Sequence, residues 1–513
     1  MNIDKALRFG FLPSEMPTSF SSAPLAAAAP GLTPLTLPAK WTAPVRFGLA
    51  RAGGLRRPME IPNPLAQISL VELCSAHWGT LQKVTARSSI SLTRPVKKPA
   101  RRSLARICEV ENKAQVAVSR MPGGSVTLRT DISQFYGSIY THAVDWAVRG
   151  KAAAKRAMRA HTLGVFLDSR LRESREGQTI GLSIGPDTSW LVSEVLLARV
   201  DEALCREHPT MAARAFRYID DMTFYASSAG EAYDVLATYE RLLGEYELSL
   251  NAEKVSVTDG LEPVESPWVG PLRQARFRDD RDSNQSQDLI DLSSLALEWA
   301  RRHPTEGVLS YAVKRCNPFP AGKKSWPIYR DFVIAAVGQD GSVLRNAYEV
   351  LTFARAHGLP VDNDRLVEVL NALCATHARL NHGFEVSWIL TLLRDLELPV
   401  DLDAAIEVSK MEDNTSLVLL YDAMKSDAKL FRSVNLDSAV RRAERKGALS
   451  TSDWLLAYEY RASKACRPNK WDDIIQWKDL NDAKVRFLVP KSKSRAASKL
   501  KRRRPLFLSA WGY

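Results

Sequence analysis

Cysteine is scarce in this chain: six residues among 513, with no Cys-x-x-Cys pair. That excludes a small disulfide-stapled scaffold and a structural zinc knuckle, and it suits a reducing cytoplasm. Long apolar runs are missing too. No stretch of about eighteen residues is apolar enough to read as a membrane-spanning helix, so no membrane partner is expected. The opening Met1-Asn2-Ile3-Asp4-Lys5 lacks the pattern of a secretory leader, and the small apolar patch at 26–29 is bracketed by Pro24 and Pro30. With 45% hydrophobic and 25% charged residues, disorder throughout and a collagen-like repeat are excluded as well. At roughly 100–200 residues per domain, the length suggests two to four domains, each able to bury a core.

What is abundant is positive charge, unevenly placed. The formal net charge is +13; the first 110 residues hold 15 Lys/Arg against 5 Asp/Glu, residues 491–504 hold 8 Lys/Arg and no acid, and the remainder is net −5. Two basic ends flanking a mildly acidic body suit a polyanion contacted at two places, although a solvated charged surface gives the same counts.

The first hundred residues carry 12 of the 27 prolines, and 13–44 reads as an extended strap lying on something else. A helix is predicted over 68–84 and a strand over 125–132 that ends near Asp131. Asp187 is placed to N-cap a helix over 188–206. Residues 213–219 and 222–226 read as a hairpin with Asp220-Asp221 at its tip, followed by a helix over 231–246. To about residue 275 the pattern is α+β. Beyond it, helices are predicted at 289–302, 329–337, 342–356, 363–380, 384–396, 402–409, 416–427, 436–446 and 452–465. Val361-Asp362 and Val400-Asp401 each follow a Leu-Pro turn, which suits either a stacked, HEAT-like array with a unit of about forty residues or a non-repetitive helical domain.

The sharpest feature is Tyr218-Ile219-Asp220-Asp221 inside an apolar hairpin. Adjacent acids at a tight turn repel each other, and a fold keeps them mainly where a cation neutralises them; an exposed turn is the plain alternative. Asp131 ends another predicted strand. A fold that brings it beside Asp220 and Asp221 makes a hard-oxygen site for two Mg²⁺ ions roughly 3.5–4 Å apart, the arrangement that serves in-line phosphoryl displacement.

These segments resemble the catalytic blocks of reverse transcriptases. Thr130-Asp131-Ile132-Ser133-Gln134-Phe135-Tyr136-Gly137-Ser138-Ile139-Tyr140 is similar to their first palm block, and Gly181-Leu182-Ser183-Ile184-Gly185-Pro186-Asp187-Thr188-Ser189 to the next. Tyr218-Ile219-Asp220-Asp221 is the signature turn, and Leu248-Ser249-Leu250-Asn251-Ala252-Glu253-Lys254 resembles the later lysine-bearing block. Upstream, Arg57-Pro58-Met59-Glu60-Ile61-Pro62 is similar to a fingers block. The resemblance implies that Asp131, Asp220 and Asp221 hold the metals, with the Ile132 carbonyl as a further ligand. It implies that Tyr136 lies under the sugar and crowds a 2′-hydroxyl, unless it is an ordinary core tyrosine. Arg57 and Lys254 would face the triphosphate, unless they are surface cations. Ser183 and Gly185 would let the backbone approach base or sugar.

No protease, integrase or RNase H domain is visible. Cys374 and His377 have no second pair, which argues against a zinc or HNH endonuclease, and the C-terminal half has no Arg-x4-His for a HEPN-type RNase. A short fingers–palm unit (1–275), a helical domain (276–490) and a basic tail (491–513) look like the bacterial abortive-infection and defence-associated reverse transcriptases. The resemblance implies an RNA-directed DNA polymerase-like nucleotidyltransferase in the bacterial cytoplasm, taking dNTPs to a DNA product in antiphage defence. Untemplated synthesis, synthesis on a partner noncoding RNA, and a nucleic-acid-binding sensor with a vestigial palm all stay open. A homo-oligomer is expected, from the long surfaces of a stacked-helix domain and from apolar faces near Trp388 and Trp454 that need covering, unless both tryptophans are simply core. No tyrosine precedes Tyr136, so a protein primer would have to come from elsewhere, and Tyr513 at the end of the basic tail is the candidate. A tail that binds RNA and docks on a neighbouring subunit is its alternative.

Overall fold

The computed structural model describes residues 1–33, 41–97, 102–157, 161–278, 280–316, 319–466, 474–490 and 505–506. The chain opens with helix α1 (Ile3–Gly10), whose Asn2 side chain caps the Lys5 amide. A hairpin follows, β1 (Val45–Ala50) paired with β2 (Arg56–Ile61). The glycines and Pro58 in this stretch hide its strands from a pattern reading, and Pro58 is tolerated because a two-stranded hairpin has only edges. The helix predicted over 68–84 is two helices, α2 (Pro64–Ala76) and α3 (Trp78–Thr85), broken at His77.

Four strands build the central sheet: β3 (Val126–Asp131), β4 (Ala215–Tyr218), β5 (Asp221–Ala226) and β6 (Ser256–Asp259), all antiparallel in the order β4-β5-β3-β6. Alternation divides its faces. Leu128, Met222 and Phe224 enter the main core, where α4 (Asp187–Glu207) and α5 (Ala229–Gly244) pack. Phe216 and Tyr225 point the other way, into a small cluster with Leu92 and Ala117. Asp187 is not the N-cap of α4 but its first residue, with Pro186 at the cap. Its carboxylate turns to Arg102 at 2.8 Å, in space left by Gly10, whose missing Cβ would otherwise lie 2.4 Å from Asp187 Oδ2.

The second half is helical. Beyond Asp282–Arg302 and Val308–Arg315 come α6 (Ser325–Gln339), α7 (Leu344–Ala356), α8 (Asn363–Arg379), α9 (Gly383–Asp395), α10 (Leu402–Ser409), α11 (Asn414–Ser426) and α12 (Trp454–Ala462). From α6 to α11 each helix packs on the next but one, as in a stacked array. Both Leu-Pro turns are tied alike: Trp326 on α6 donates to the Pro360 carbonyl at 2.9 Å, and Asn371 on α8 to the Pro399 carbonyl at 3.2 Å.

One continuous buried cluster runs from Met1 to Phe487, across the boundary near residue 275. The N-terminal strap lies along the helical half and carries a helical turn of its own, Ala23–Ala28. Trp388 and Trp454 follow the second of their two readings and are core, 2% and 0% exposed, so they present no face to a second subunit. The N-terminal segment covers them: Trp388 Nε1 donates to the Glu15 carbonyl of the strap, and Phe11, at the end of α1, stacks on Trp454 at 6.5 Å. Among the described residues no helix is long and apolar enough to cross a membrane. The backbone of Pro505–Leu506 pairs in parallel with Phe319–Pro320. Tyr513 and the rest of the basic tail lie outside the described residues.

Candidate functional site

β3 and β5 place Asp131 directly opposite Asp221, the last pair of their ladder. Side chains opposite each other in a sheet have Cβ atoms about 4.5–5.5 Å apart, so the two carboxylates share one end of the sheet. Ile219-Asp220 joins β4 to β5 and brings the third carboxylate to the same end. The turn is strained: Ile219, β-branched, has φ +61°. It is gripped from both sides, its amide donating to the Thr93 hydroxyl at 3.0 Å and its carbonyl accepting from Arg217 at 2.6 Å.

Sequence reasoning missed that grip. Arg217 is wholly buried, 3.1 Å from Glu194 and 2.8 Å from Asp201, two acids seven residues apart on one face of α4. Ser91 and Thr93 donate to Glu194 at 2.8 and 2.6 Å, and Ser88 donates to Asp201 at 2.5 Å. A signal was present: an arginine inside the apolar strand Ala215-Phe216-Arg217-Tyr218, and paired acids on the apolar side of a long helix. Arg106 and Lys113 were also missed. Arg106 donates to the Tyr218 hydroxyl at 2.6 Å, and Lys113 lies over the Tyr218 ring at 5.1 Å.

The carboxylates resist sharing their charge. Asp221 is pushed up to about 6, first by the protein packed around its carboxylate, then by the charge of Asp220 and a hydrogen bond with Asp131. Asp220 is raised too, by burial and by Asp131, against the pull of Arg57 and Lys254. Three hard oxygen donors that disfavour joint ionisation are the donor set a divalent cation stabilises. Ile132 bridges to Leu250 through the Ser133 amide and the Asp131 carbonyl, a pattern that uses neither backbone group of Ile132 itself. The residues present therefore fit such an ion. A cavity of about 240 Å³ opens here, lined by Asp131, Asp221, Lys113 and Lys254 among others.

Lys254 Nζ stands 2.8 Å from Asp131 Oδ2 on a largely exposed side chain, and Asn251 offers its amide to the Asp131 carbonyl at 2.8 Å. Tyr136 is in the short helix that follows β3, close enough to Asp220 for that charge to help raise its hydroxyl to about 12, burial being the main cause. Ser193 donates to that hydroxyl at 3.5 Å. Arg57 is exposed on β2, and its charge reaches Asp220. Ser183 and Gly185 are turned to the protein itself: Ser183 donates to Glu60 at 2.8 Å, and a Cβ on Gly185 (φ +136°) would come 2.6 Å from Pro13. Of the predicted site residues, Asp131, Asp220, Asp221, Tyr136, Lys254 and the Ile132 backbone gather at the sheet end, with Arg57 near. Ser183 and Gly185 line the seam with strap and hairpin.

No protein family matches the chain by sequence, and no curated protein does. Among solved structures, an apo telomerase from Candida tropicalis is similar at 11% identity and a TM-score of 0.34, over 84% of this chain and 77% of that one. That likeness is too loose to fix a fold.

Proposed function

We propose that this chain is a nucleotidyltransferase of the reverse-transcriptase kind, adding dNTPs to a DNA product at Asp131, Asp220 and Asp221. The observation that carries the reading is the Asp131–Asp221 register with Asp220 at the adjoining turn. The order of the five sequence blocks supports it. Asp131, Asp220, Asp221 and the Ile132 carbonyl would hold two Mg²⁺ ions, which when bound would activate the attacking hydroxyl and offset charge on the leaving pyrophosphate. The protein's own part is positional. Arg217 and Thr93 fix the turn, Tyr136 borders the space beside Asp220, and Arg57 and Lys254 supply positive charge around it. Lys254 leaves Asp131 for the incoming triphosphate in this scheme, which its exposed side chain permits.

The physiological setting proposed is antiphage defence in a bacterial cytoplasm, from the resemblance of the blocks and of the fused helical half. Synthesis without template, with Tyr513 as primer, and synthesis on a noncoding RNA are the two modes proposed. A homo-oligomer is proposed on the long surfaces that a stacked-helix half presents, the two tryptophans also invoked for it being covered within the chain.

The test is purified full-length protein with Mg²⁺ and labelled dNTPs. Incorporation is expected, and Asp220→Asn or Asp221→Asn is expected to reduce it at least about 100-fold with unchanged circular dichroism. Wild-type incorporation by either variant overturns the reading. Sequencing the nucleic acid made and retained by the protein separates the templated mode from the untemplated one.

A further inference from the structure

A second cluster of ligating side chains lies away from the carboxylates, where α8 turns into α9. The connection Leu380-Asn381-His382 is tight, with Asn381 at φ +53°, and the His382 amide donates to the His377 carbonyl at 2.9 Å. The reversal brings the last turn of α8 against the first turn of α9. His377 Nδ1 and His382 Nδ1 stand 3.1 Å apart, and each is 3.9 Å from Glu385 Oε1. The donor atoms of these three side chains all lie within 4.8 Å of one another, close enough to share one ion.

The dimensions fit a small cation. The point equidistant from three atoms separated by 3.1, 3.9 and 3.9 Å lies about 2.1 Å from each, the length of a zinc–imidazole or zinc–carboxylate bond. A hydrogen bond between the two rings accounts for 3.1 Å, but 3.9 Å is beyond hydrogen-bond reach, so it does not account for the approach of the glutamate to both rings. Glu385 is 4% exposed at its side chain, and a Cβ on Gly341 would come 2.8 Å from its Cγ, so the carboxylate is held on that side too. Arg56 forks onto the same carboxylate at 2.7 and 2.5 Å. A carboxylate has about four lone-pair positions, so two stay available to face the imidazoles. A hydrogen-bonded carboxylate ligand of this kind is what well-built metal sites display.

We propose that His377, His382 and Glu385 form a zinc site, with Arg56 as the outer partner that orients the glutamate. Two imidazoles and one carboxylate suit Zn²⁺ among abundant divalent ions, and three protein ligands leave a fourth position for water or an anion. The site is a staple between halves. Arg56 belongs to β2, and Phe47 of β1, in the same hairpin, packs on Phe384 of α9 at 6.0 Å. The Cys374 thiol, one turn before His377, is buried and takes no part.

The test uses full-length protein stripped with chelator, desalted and titrated with ZnCl₂ by calorimetry. One Zn²⁺ per chain is expected, and the double variant His377→Ala/His382→Ala is expected to weaken binding by more than the roughly 10–100-fold that an outer-shell partner contributes. Equal zinc affinity in wild type and double variant overturns the proposal, as does no binding by wild type at micromolar zinc. X-ray absorption on zinc-loaded wild type needs no variant. Two imidazole shells and a light oxygen shell support the site, whereas a sulfur shell or water alone overturns it.

Discussion

Arg217→Met asks whether the carboxylate turn is held from beneath. The guanidinium is wholly buried between Glu194 and Asp201, which are 1% and 0% exposed. Removing it strands two acids away from water, and breaking a buried ion pair by deleting one partner costs about 3–5 kcal/mol. The Ile219 carbonyl also loses its donor, worth about 1 kcal/mol. Burial already pushes Asp201 upward against the opposing charge of Arg217, so proton uptake by one acid will return part of that cost. A net loss of about 3–4 kcal/mol is expected in urea denaturation at neutral pH. The companion is the triple variant Arg217→Met/Glu194→Gln/Asp201→Asn, which removes the stranded charges along with the cation. Its stability is expected to return most of the way, because apolar or neutral replacements of a whole buried ion cluster are often tolerated. Its catalysis is not. Ile219 at φ +61° occupies a backbone state costing about 1–3 kcal/mol, and with the carbonyl anchor gone the turn relaxes and Asp220 moves. Recovery of full dNTP incorporation by the triple variant refutes the positioning role, and a loss under about 1 kcal/mol in the single variant refutes the electrostatic account.

Two further outcomes are expected. Asp221 titrates near 6, so incorporation at limiting Mg²⁺ falls as pH drops through 6. In metal-free protein the same raised carboxyl holds a proton that the unfolded chain gives up near 3.8, so stability falls as pH rises through that window; Asp221→Asn should flatten this slope in denaturation series, and an unchanged slope counts against it. Tyr136→Ala is expected to raise rNTP use relative to dNTP use, measured as the ratio of kcat/KM values, by opening the space the ring fills near Asp220. Retained activity with unchanged sugar discrimination moves the gate elsewhere.

The carboxylate end was legible because its signals are local: two acids interrupt an alternating apolar hairpin, and a third ends the neighbouring strand. The helices of the second half were legible for the same reason, since 402–409 was placed to the residue and 363–380 and 384–396 to within one. What failed were statements needing a distant partner. Asp187 looks like a cap until Arg102 and Gly10 are beside it. Trp388 and Trp454 could be read as subunit contacts or as core until Glu15 and Phe11, more than 370 residues away, lie against them. His377, His382 and Glu385 fit no familiar zinc spacing, and only the left-handed backbone at Asn381 folds them together.

The β1–β2 hairpin answers to both halves of the chain, and that bears on Arg57. Period-two alternation puts Arg56, Pro58 and Glu60 on one face of β2 and Arg57, Met59 and Ile61 on the other. From the first face, Glu60 takes the Ser183 hydroxyl and the Arg175 guanidinium in the first half, while Arg56 grips Glu385 in the second. On the other face, Met59 and Ile61 anchor in the core, and Arg57 stands exposed where its charge reaches Asp220. Strands bend little between such anchors, so the reach of Arg57 toward the carboxylates depends on Glu385, a residue of α9. The helical half is thereby part of the frame that aims a cation at the carboxylate end of the sheet.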